Sequence, residues 1–266
     1  MATRLHYKEL ICISGLKLNH FILQTTLLEI NSFFCISLVG INECFLVILY
    51  KLTCGYLCPE MKKQHIQDTF GNIDIYLFDQ LLKGTYDDCD RILDAGCGTG
   101  RNLLYLLQSG ANVFGVDKNS EVIEQLRTIA GSFSQVDPEE NFKVASVEQL
   151  PFENETFDLV ISSAVLHFAE NLSHFEDILN SMWRVLKPGG YFFCRLASEI
   201  GIESLVRFIG NGRYLLPDGS ERFLVNQDML LRLTRKIGGE LHEPIKTTNV
   251  QNLRSMTTWC VRKTKP

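Results

Sequence analysis

The chain has 266 residues, 45% of them hydrophobic, and its 26 basic and 31 acidic residues give a net charge of −5. This length is enough for one large domain or two small ones. The acidic balance argues against a nucleic-acid-binding surface, because contact with a phosphate backbone requires clustered lysine and arginine.

The first 60 residues differ in composition from the rest of the chain. They carry only four basic and four acidic residues, and the 18 residues 33–50 are apolar enough to consider as a membrane span. Glu43 lies near the middle of this run, where a carboxylate costs about 2.5–3.5 kcal/mol. We interpret residues 1–60 as an N-terminal extension outside the catalytic fold, a translated leader ahead of a start at Met61. The alternative is a signal anchor, which would provide the only membrane contact.

From Met61 onward, strand-like and helix-like segments alternate, which predicts a single α/β domain over residues 61–266. This pattern is typical of a Rossmann-like, doubly wound sheet with helices on both faces. The predicted strands are residues 91–96, 112–117, 142–147, 157–163, 190–197, 240–248 and 254–263. The predicted helices are residues 70–82, 172–187 and 227–237, together with one that follows the first strand.

The first predicted strand leads into Asp94-Ala95-Gly96-Cys97-Gly98-Thr99-Gly100. Glycines at alternate positions allow the backbone to approach a ligand closely, and the start of a following helix attracts an anion. Asp117 closes the second predicted strand, where a carboxylate can accept hydrogen bonds from both hydroxyls of a ribose. The two features predict a nucleoside-containing cofactor, either a nicotinamide dinucleotide or S-adenosylmethionine.

Four segments, LDAGCGTG, VFGVDKNS, LPFENETFDLVISSAVLHF and VLKPGGYFF, follow one another along the chain. Their order and spacing resemble the class I S-adenosylmethionine-dependent methyltransferases of the methyltransferase-11 or tellurite-resistance-like type, over roughly residues 70–265. The resemblance implies a seven-stranded sheet with an antiparallel last strand, S-adenosylmethionine as cofactor, and methyl transfer to a small-molecule acceptor. Two alternatives remain: a protein that holds the cofactor without turnover, and an NAD-dependent oxidoreductase. The G-x-G-x-G spacing disfavours the oxidoreductase, because dinucleotide folds use G-x-G-x-x-G.

The resemblance also implies which residues contact the cofactor. Ser146 stands where relatives often have an aspartate that accepts from the adenine amino group, so the backbone of Val147 is expected to share that contact. The predicted cofactor-binding residues are Asp94, Gly96, Cys97, Gly98, Gly100, Asp117, Lys118, Ser146, Val147 and Ser162.

The acceptor side is predicted from fewer residues. His167 follows the fourth strand and is a candidate general base, with a packed wall residue as the alternative interpretation. Tyr76, Arg213 and Tyr214 are candidate substrate contacts. The last two lie in residues 201–225, which are either a substrate lid or a surface hairpin.

No metal-ligand spacing occurs in the sequence, and no metal is expected. The four cysteines after residue 60 form no C-x-x-C pair, which favours a reducing, cytoplasmic location.

Overall fold

The structure, a computed structural model, describes residues 63–264. The predicted extension, residues 1–60, and the apolar run 33–50 lie outside the described residues. Within the described part of the chain, no helix combines the length and the apolar character that crossing a membrane requires.

Helices and strands alternate along the described residues. The helices are α1 (Lys63–Phe70), α2 (Ile75–Leu82), α3 (Leu104–Gln108), α4 (Ser120–Ala130), α5 (Pro138–Asn141), α6 (Leu172–Val185) and α7 (Gln227–Lys236). The strands are β1 (Arg91–Ala95), β2 (Asn112–Asp117), β3 (Phe142–Val144), β4 (Phe157–Ser163), β5 (Leu186–Ser198), β6 (Arg207–Gly210), β7 (Arg213–Leu215), β8 (Glu221–Phe223), β9 (Gly239–Leu241), β10 (Lys246–Val250) and β11 (Arg254–Lys263).

The central sheet has the order β3-β2-β1-β4-β5-β11-β10, and β9 pairs with the far end of β11. Strands β1 to β5 are parallel, whereas β11 is antiparallel to both of its neighbours. This topology confirms the predicted doubly wound fold and its antiparallel last strand. The single strand predicted over residues 240–248 is wrong, since β9 and β10 are separate there. Pro244 lies between them, and proline cannot donate to a sheet ladder.

Two predicted helices also have different limits. The helix predicted over residues 70–82 begins only at Ile75, because the chain turns at Gly71, with φ of +61°, and Asp74 caps α2. Helix α6 ends at Val185, two residues before its predicted end, and residues 187–190 belong to β5. The register between β4 and β5 shifts there, which marks a bulge.

The core lies on both faces of the sheet. Consecutive strand residues point to opposite faces, so Leu93 and Trp259 pack in one hydrophobic cluster while their neighbours Ile92 and Cys260 pack in the other. Because both faces are covered, the central strands β1, β2 and β4 are buried along almost their whole length instead of alternating. The edge formed by the carboxyl ends of the strands therefore provides the space for a site.

The Thr234 hydroxyl on α7 joins this helix to β11. It accepts from the indole N–H of the fully buried Trp259 at 2.9 Å and donates to the carbonyl oxygen of Leu230 at 2.8 Å. We expect Thr234→Val to lower the free energy of unfolding by about 1–3 kcal/mol, because it leaves the indole N–H buried without a partner. Urea unfolding measures the change. Thr234→Ser keeps the hydroxyl and is the control, and equal losses in the two variants would contradict the assignment.

Candidate active site

The glycine loop after β1 turns sharply at the carboxyl end of the strand. The backbone N–H groups of Gly96 and Cys97 both donate to the carbonyl oxygen of Val116 on β2, at 2.8 and 2.9 Å. Gly96 has a φ of +82° and Gly98 a φ of +52°, values that other residues rarely adopt. A Cβ at Gly96 would lie 2.5 Å from Val165 Cγ2, whereas one at Gly98 would meet nothing within 4 Å. The loop thus needs glycine at position 96 and leaves open space at position 98.

The carboxylate of Asp117 ends β2 and is held by backbone groups on both sides. Its Oδ2 accepts from the N–H of Gly98 at 3.0 Å, and its Oδ1 accepts from the N–H of Asn119 at 2.9 Å. An ionised carboxylate has about four acceptor positions, so each oxygen can still accept a further hydrogen bond. The two hydrogen bonds thereby fix the carboxylate in place and leave it able to accept hydrogen bonds from a ligand.

A cleft of about 490 Å³ opens at the carboxyl ends of β1, β2 and β4, a volume typical of small-molecule sites. Five predicted cofactor residues line it: Gly96, Asp117, Lys118, Ser146 and Val147. The remaining wall is formed by the segment after β4 and the first turns of α6, and includes Ala164, Val165, Phe168 and His174. The structure thus brings half of the predicted set together around one space.

Four other predicted cofactor residues do not line the cleft. Cys97 is buried behind the loop, close to Gly115, and burial raises the pKa of its thiol. A Cβ at Gly100 would lie 2.5 Å from Leu126 Cδ1, so this glycine allows close packing against α4. Ser162 is fully buried beside Cys194 of β5, and the N–H of Gly98 is occupied by Asp117. These four residues therefore contribute to the conformation and packing of the glycine loop, and do not form the cleft wall.

Asp94 is the remaining predicted cofactor residue, and it is an unusual buried acid. Its side chain is buried, Oδ2 accepts from Asn102 Nδ2 at 3.4 Å, and Oδ1 has no hydrogen-bond partner among the described residues. Burial raises the pKa of this carboxyl to about 7. A buried acceptor without a partner is costly, so a ligand with a cationic donor would stabilise Asp94.

Glu148 is a cleft residue that the sequence reasoning missed. It accepts from His174 across a 2.8 Å hydrogen bond and also pairs with the Ser146 hydroxyl. Burial raises the pKa of Glu148, but the hydrogen bond from His174, a backbone hydrogen bond and the charges of His174 and Lys118 together outweigh it, so the net pKa is lowered. The pattern could have revealed it, since Glu148 lies two residues after the serine that replaces the usual aspartate. An acid is thus present at this end of the cleft.

A second missed feature is the buried carboxylate of Asp74, the residue that caps α2. Its Oδ2 accepts from Arg195 Nη1 at 2.8 Å and from Ser163 Oγ at 3.2 Å, while Arg101 Nη2 donates to the same Ser163 hydroxyl at 2.7 Å. These contacts join α2 to the carboxyl ends of β4 and β5. The three partners are far apart in sequence, and no local pattern connects them.

A second cavity, of about 360 Å³, adjoins the cleft and shares Ala164 and Phe168 with it. His167 lines this cavity and is almost completely buried. Its Nδ1 accepts from the backbone N–H of Ala197 at 3.1 Å, so the proton of the neutral ring must be on Nε2. Burial and the nearby Arg222 lower the pKa of His167 to about 4. The geometry does not support the predicted general base, because neither nitrogen has a free lone pair at neutral pH.

The predicted substrate residues lie apart from the cleft. The Tyr76 hydroxyl pairs with Thr248 Oγ1, and the ring lies 5.1 Å from the Arg195 guanidinium. Arg213 Nη2 lies 3.6 Å from Glu221 Oε2 on the neighbouring strand. Tyr214 lines a separate groove, beside Asn226. Residues 201–225 contain a three-stranded antiparallel sheet, β6-β7-β8. This sheet contributes Arg222 to the second cavity, and the segment before β8 also reaches it, but Arg213 and Tyr214 do not.

Between residues 63 and 264, no group of three or more histidine, cysteine, aspartate and glutamate side chains is arranged to hold a metal ion.

Comparison with protein families matches residues 93–194 to a family described as a methyltransferase domain. An uncharacterized methyltransferase of Synechocystis is 34% identical over 102 residues, which cover 38% of this chain and 44% of that protein. A mitochondrial ubiquinone biosynthesis O-methyltransferase of Mus musculus is 36% identical over 104 residues, which cover 39% of this chain and 27% of that protein. The matched segments thus span less than half of these curated relatives.

Among solved structures, a SAM-dependent methyltransferase of Methanosarcina mazei superposes with a TM-score of 0.58 at 24% identity. The match covers 70% of this chain and 98% of that chain. At this identity the likeness concerns the fold alone.

The contact between Gly96 and Val165 gives a prediction for stability. We expect Gly96→Ala to lower the free energy of unfolding by more than the 1–2 kcal/mol roughly expected for a left-handed residue alone, because its Cβ would overlap Val165 Cγ2. Gly110→Ala is the matched control, with a φ of +84° and nothing within 4 Å of a Cβ. Urea unfolding of both variants separates backbone strain from the clash. Equal destabilisation would show that the contact with Val165 does not matter.

The state of His167 gives a prediction for pH dependence. Its pKa is about 4 in the folded protein and about 6.5 when unfolded. The unfolded chain therefore binds more protons in this window, and His167 contributes stability that is lost as the pH falls from about 6.5 through 4. We expect a loss of up to about 3 kcal/mol that is absent in His167→Gln. Urea unfolding at several pH values measures this, and parallel pH profiles for the two proteins would refute the assignment.

Proposed function

We propose that this chain, whose residues 93–194 are a methyltransferase domain of the class I S-adenosylmethionine-dependent family, transfers a methyl group from that cofactor to a small-molecule acceptor. The observation that carries the proposal is the contact between the glycine loop and Asp117, which face one cleft at adjacent strand ends. We assign the activity to residues 61–266 and no catalytic role to residues 1–60.

The residues present fit S-adenosylmethionine. Asp117 has spare acceptor capacity on both oxygens, which suits the two hydroxyls of a ribose. Ser146 and Val147 would lie along the adenine, and Lys118 beside it. The unpartnered Oδ1 of the buried Asp94 suits a cationic amino group. Gly96 brings the loop backbone to the wall of the cleft, beside Val165.

S-adenosylmethionine supplies an electrophilic methyl group on a sulfonium. The protein's contribution is to hold the acceptor in line and exclude water, which by itself accounts for several kcal/mol of the barrier. The second cavity is suited to hold the acceptor, because Ala164 and Phe168 border both spaces. His167 is best assigned as a hydrogen-bond donor in this cavity. An acceptor that must lose a proton would have to release it to another group or to water.

The rival functions are less well supported. An NAD-dependent oxidoreductase would use the same ribose contact, but the loop lacks the third-glycine spacing, and the family match is to methyltransferases. A protein that holds the cofactor without turnover would share the whole cleft with an enzyme. A cytoplasmic location belongs to the same proposal, since the described cysteines, Cys89, Cys97, Cys194 and Cys260, are all free thiols.

The carboxylate of Asp117 provides the main test. We expect Asp117→Ala to weaken S-adenosylhomocysteine binding by about 2–3 kcal/mol, because two ribose hydrogen bonds to a charged group are lost. Isothermal titration calorimetry measures this directly. Asp158→Ala is the matched control, since Asp158 also accepts from a backbone N–H, that of Arg91, and from Lys187, outside the cleft. Unchanged affinity in Asp117→Ala would remove the site.

Titration with NAD and an assay of methyl transfer complete this test. The proposal expects S-adenosylhomocysteine to bind and NAD not to bind. Consumption of S-adenosylmethionine with any member of a panel of small-molecule acceptors would then distinguish an enzyme from a protein that only holds the cofactor.

A further inference from the structure

The second cavity shares only Ala164 and Phe168 with the cofactor cleft, and its other lining residues are its own. It lies on the far side of Ala164 and Phe168, between the end of β5, the start of β11 and the lid sheet β6-β7-β8. Its volume of about 360 Å³ is at the low end of the range for small-molecule sites. The cavity is therefore in the position expected for an acceptor.

Three arginines from three different elements line this cavity: Arg195 of β5, Arg222 of β8 and Arg254 of β11. Arg195 is paired with Asp74, whereas Arg222 donates to the carbonyl oxygen of Glu221. Among residues 63–264, no carboxylate oxygen lies within 4.0 Å of the guanidinium nitrogens of Arg222 or Arg254. The one carboxylate in the wall, Asp218, is exposed and accepts from Ser220, and the charges of Arg254 and Arg222 add to the lowering of its pKa by these hydrogen bonds. Two guanidinium groups therefore share one carboxylate, which leaves positive charge in excess.

His167 adds a neutral donor to the same wall. Its Nδ1 is occupied by the N–H of Ala197, and its Nε2–H has no partner among the described residues. His167 is only 5% exposed, and it lines the cavity. This N–H donor lies in the cavity wall, and a ligand that enters the cavity can supply its acceptor.

The rest of the wall is apolar. Phe168 has the Arg222 guanidinium 4.8 Å from its ring centroid, and Leu216 and Met256 lie among the other lining residues. Guanidinium groups next to apolar side chains match a ligand with an anionic group on an apolar body.

We propose that this cavity binds the methyl acceptor through a carboxylate or phosphate group, held by Arg222, Arg254 and the Nε2–H of His167, with the apolar body of the acceptor against Phe168, Leu216 and Met256. This inference rests on the proposed methyl transfer. It narrows the acceptor to an anionic small molecule, and it makes the lid sheet part of the acceptor site through Arg222.

Three fluorinated probes test the proposal on the full chain saturated with S-adenosylhomocysteine. They are 4-fluorobenzoate, 4-fluorophenyl phosphate and the neutral 4-fluorobenzyl alcohol, and fluorine NMR titration gives each dissociation constant. We expect at least one anion to bind about tenfold or more tightly than the alcohol. The stronger of the two anions identifies the acceptor group as carboxylate or phosphate.

Variants locate the binding. Arg222→Gln and Arg254→Gln should each weaken the bound anion by about tenfold, while Arg207→Gln, an exposed arginine on the same lid sheet outside the cavity, should leave it unchanged. Unchanged affinity for S-adenosylhomocysteine shows that the variants are folded.

Three results would overturn the proposal: no anion binding at millimolar concentration, equal binding of the neutral alcohol, or full anion affinity in both cavity variants. If the chain without substitutions did not bind S-adenosylhomocysteine, that result would instead overturn the proposed function.

Discussion

The hydrogen bond from the Gly98 N–H to Asp117 Oδ2 is the contact around which the site is organised. It ties the loop after β1 to the end of β2, and it can form only because the backbone of Gly98 takes a positive φ beside a carboxylate. The parallel register of β1 and β2 sets the two groups at the same height. Since helices cover both faces of the sheet, this edge is where a polar ligand can reach backbone donors and a fixed carboxylate together.

The network beside the second cavity depends on a different physical effect, the cost of burying charge. The Asp74 carboxylate is completely buried and is compensated by Arg195, Ser163 and the N–H of Tyr76. Removing one partner of such a group leaves an uncompensated charge, which is strongly unfavourable. The network therefore fixes helix α2 on the strand ends. It also holds Arg195 at the wall of the cavity, where a ligand meets a charge that is already positioned.

The sequence predicted the fold well because the central strands β1, β2 and β4 are largely apolar, and the first two are followed by Gly96 and closed by Asp117, respectively. Asp94, Gly96 and Asp117 are close in sequence and carry a local pattern, so their half of the site was predictable. The residues that line the second cavity were not predictable in this way. Arg195, Arg222 and Arg254 come from three elements, and only the sheet order brings them together. Arg213 and Arg222 are equally plausible on the lid from sequence alone. Their opposite outcomes depend on strand pairing, which places Arg222 opposite Tyr214 and Arg213 opposite Phe223.

The contact between Asp74 and Arg195 spans 121 positions of the chain, and this separation has a consequence for biosynthesis. The helix capped by Asp74 leaves the ribosome long before β5 exists, so it cannot dock until most of the domain has been translated. At typical rates of about 5–20 residues per second, this delay lasts many seconds. During that interval Leu77, which is fully buried in the finished protein, belongs to an incomplete core, because its cluster also includes Phe193 and Cys260. Nascent chains stalled before Arg195 should therefore be substrates for chaperones that bind exposed apolar segments.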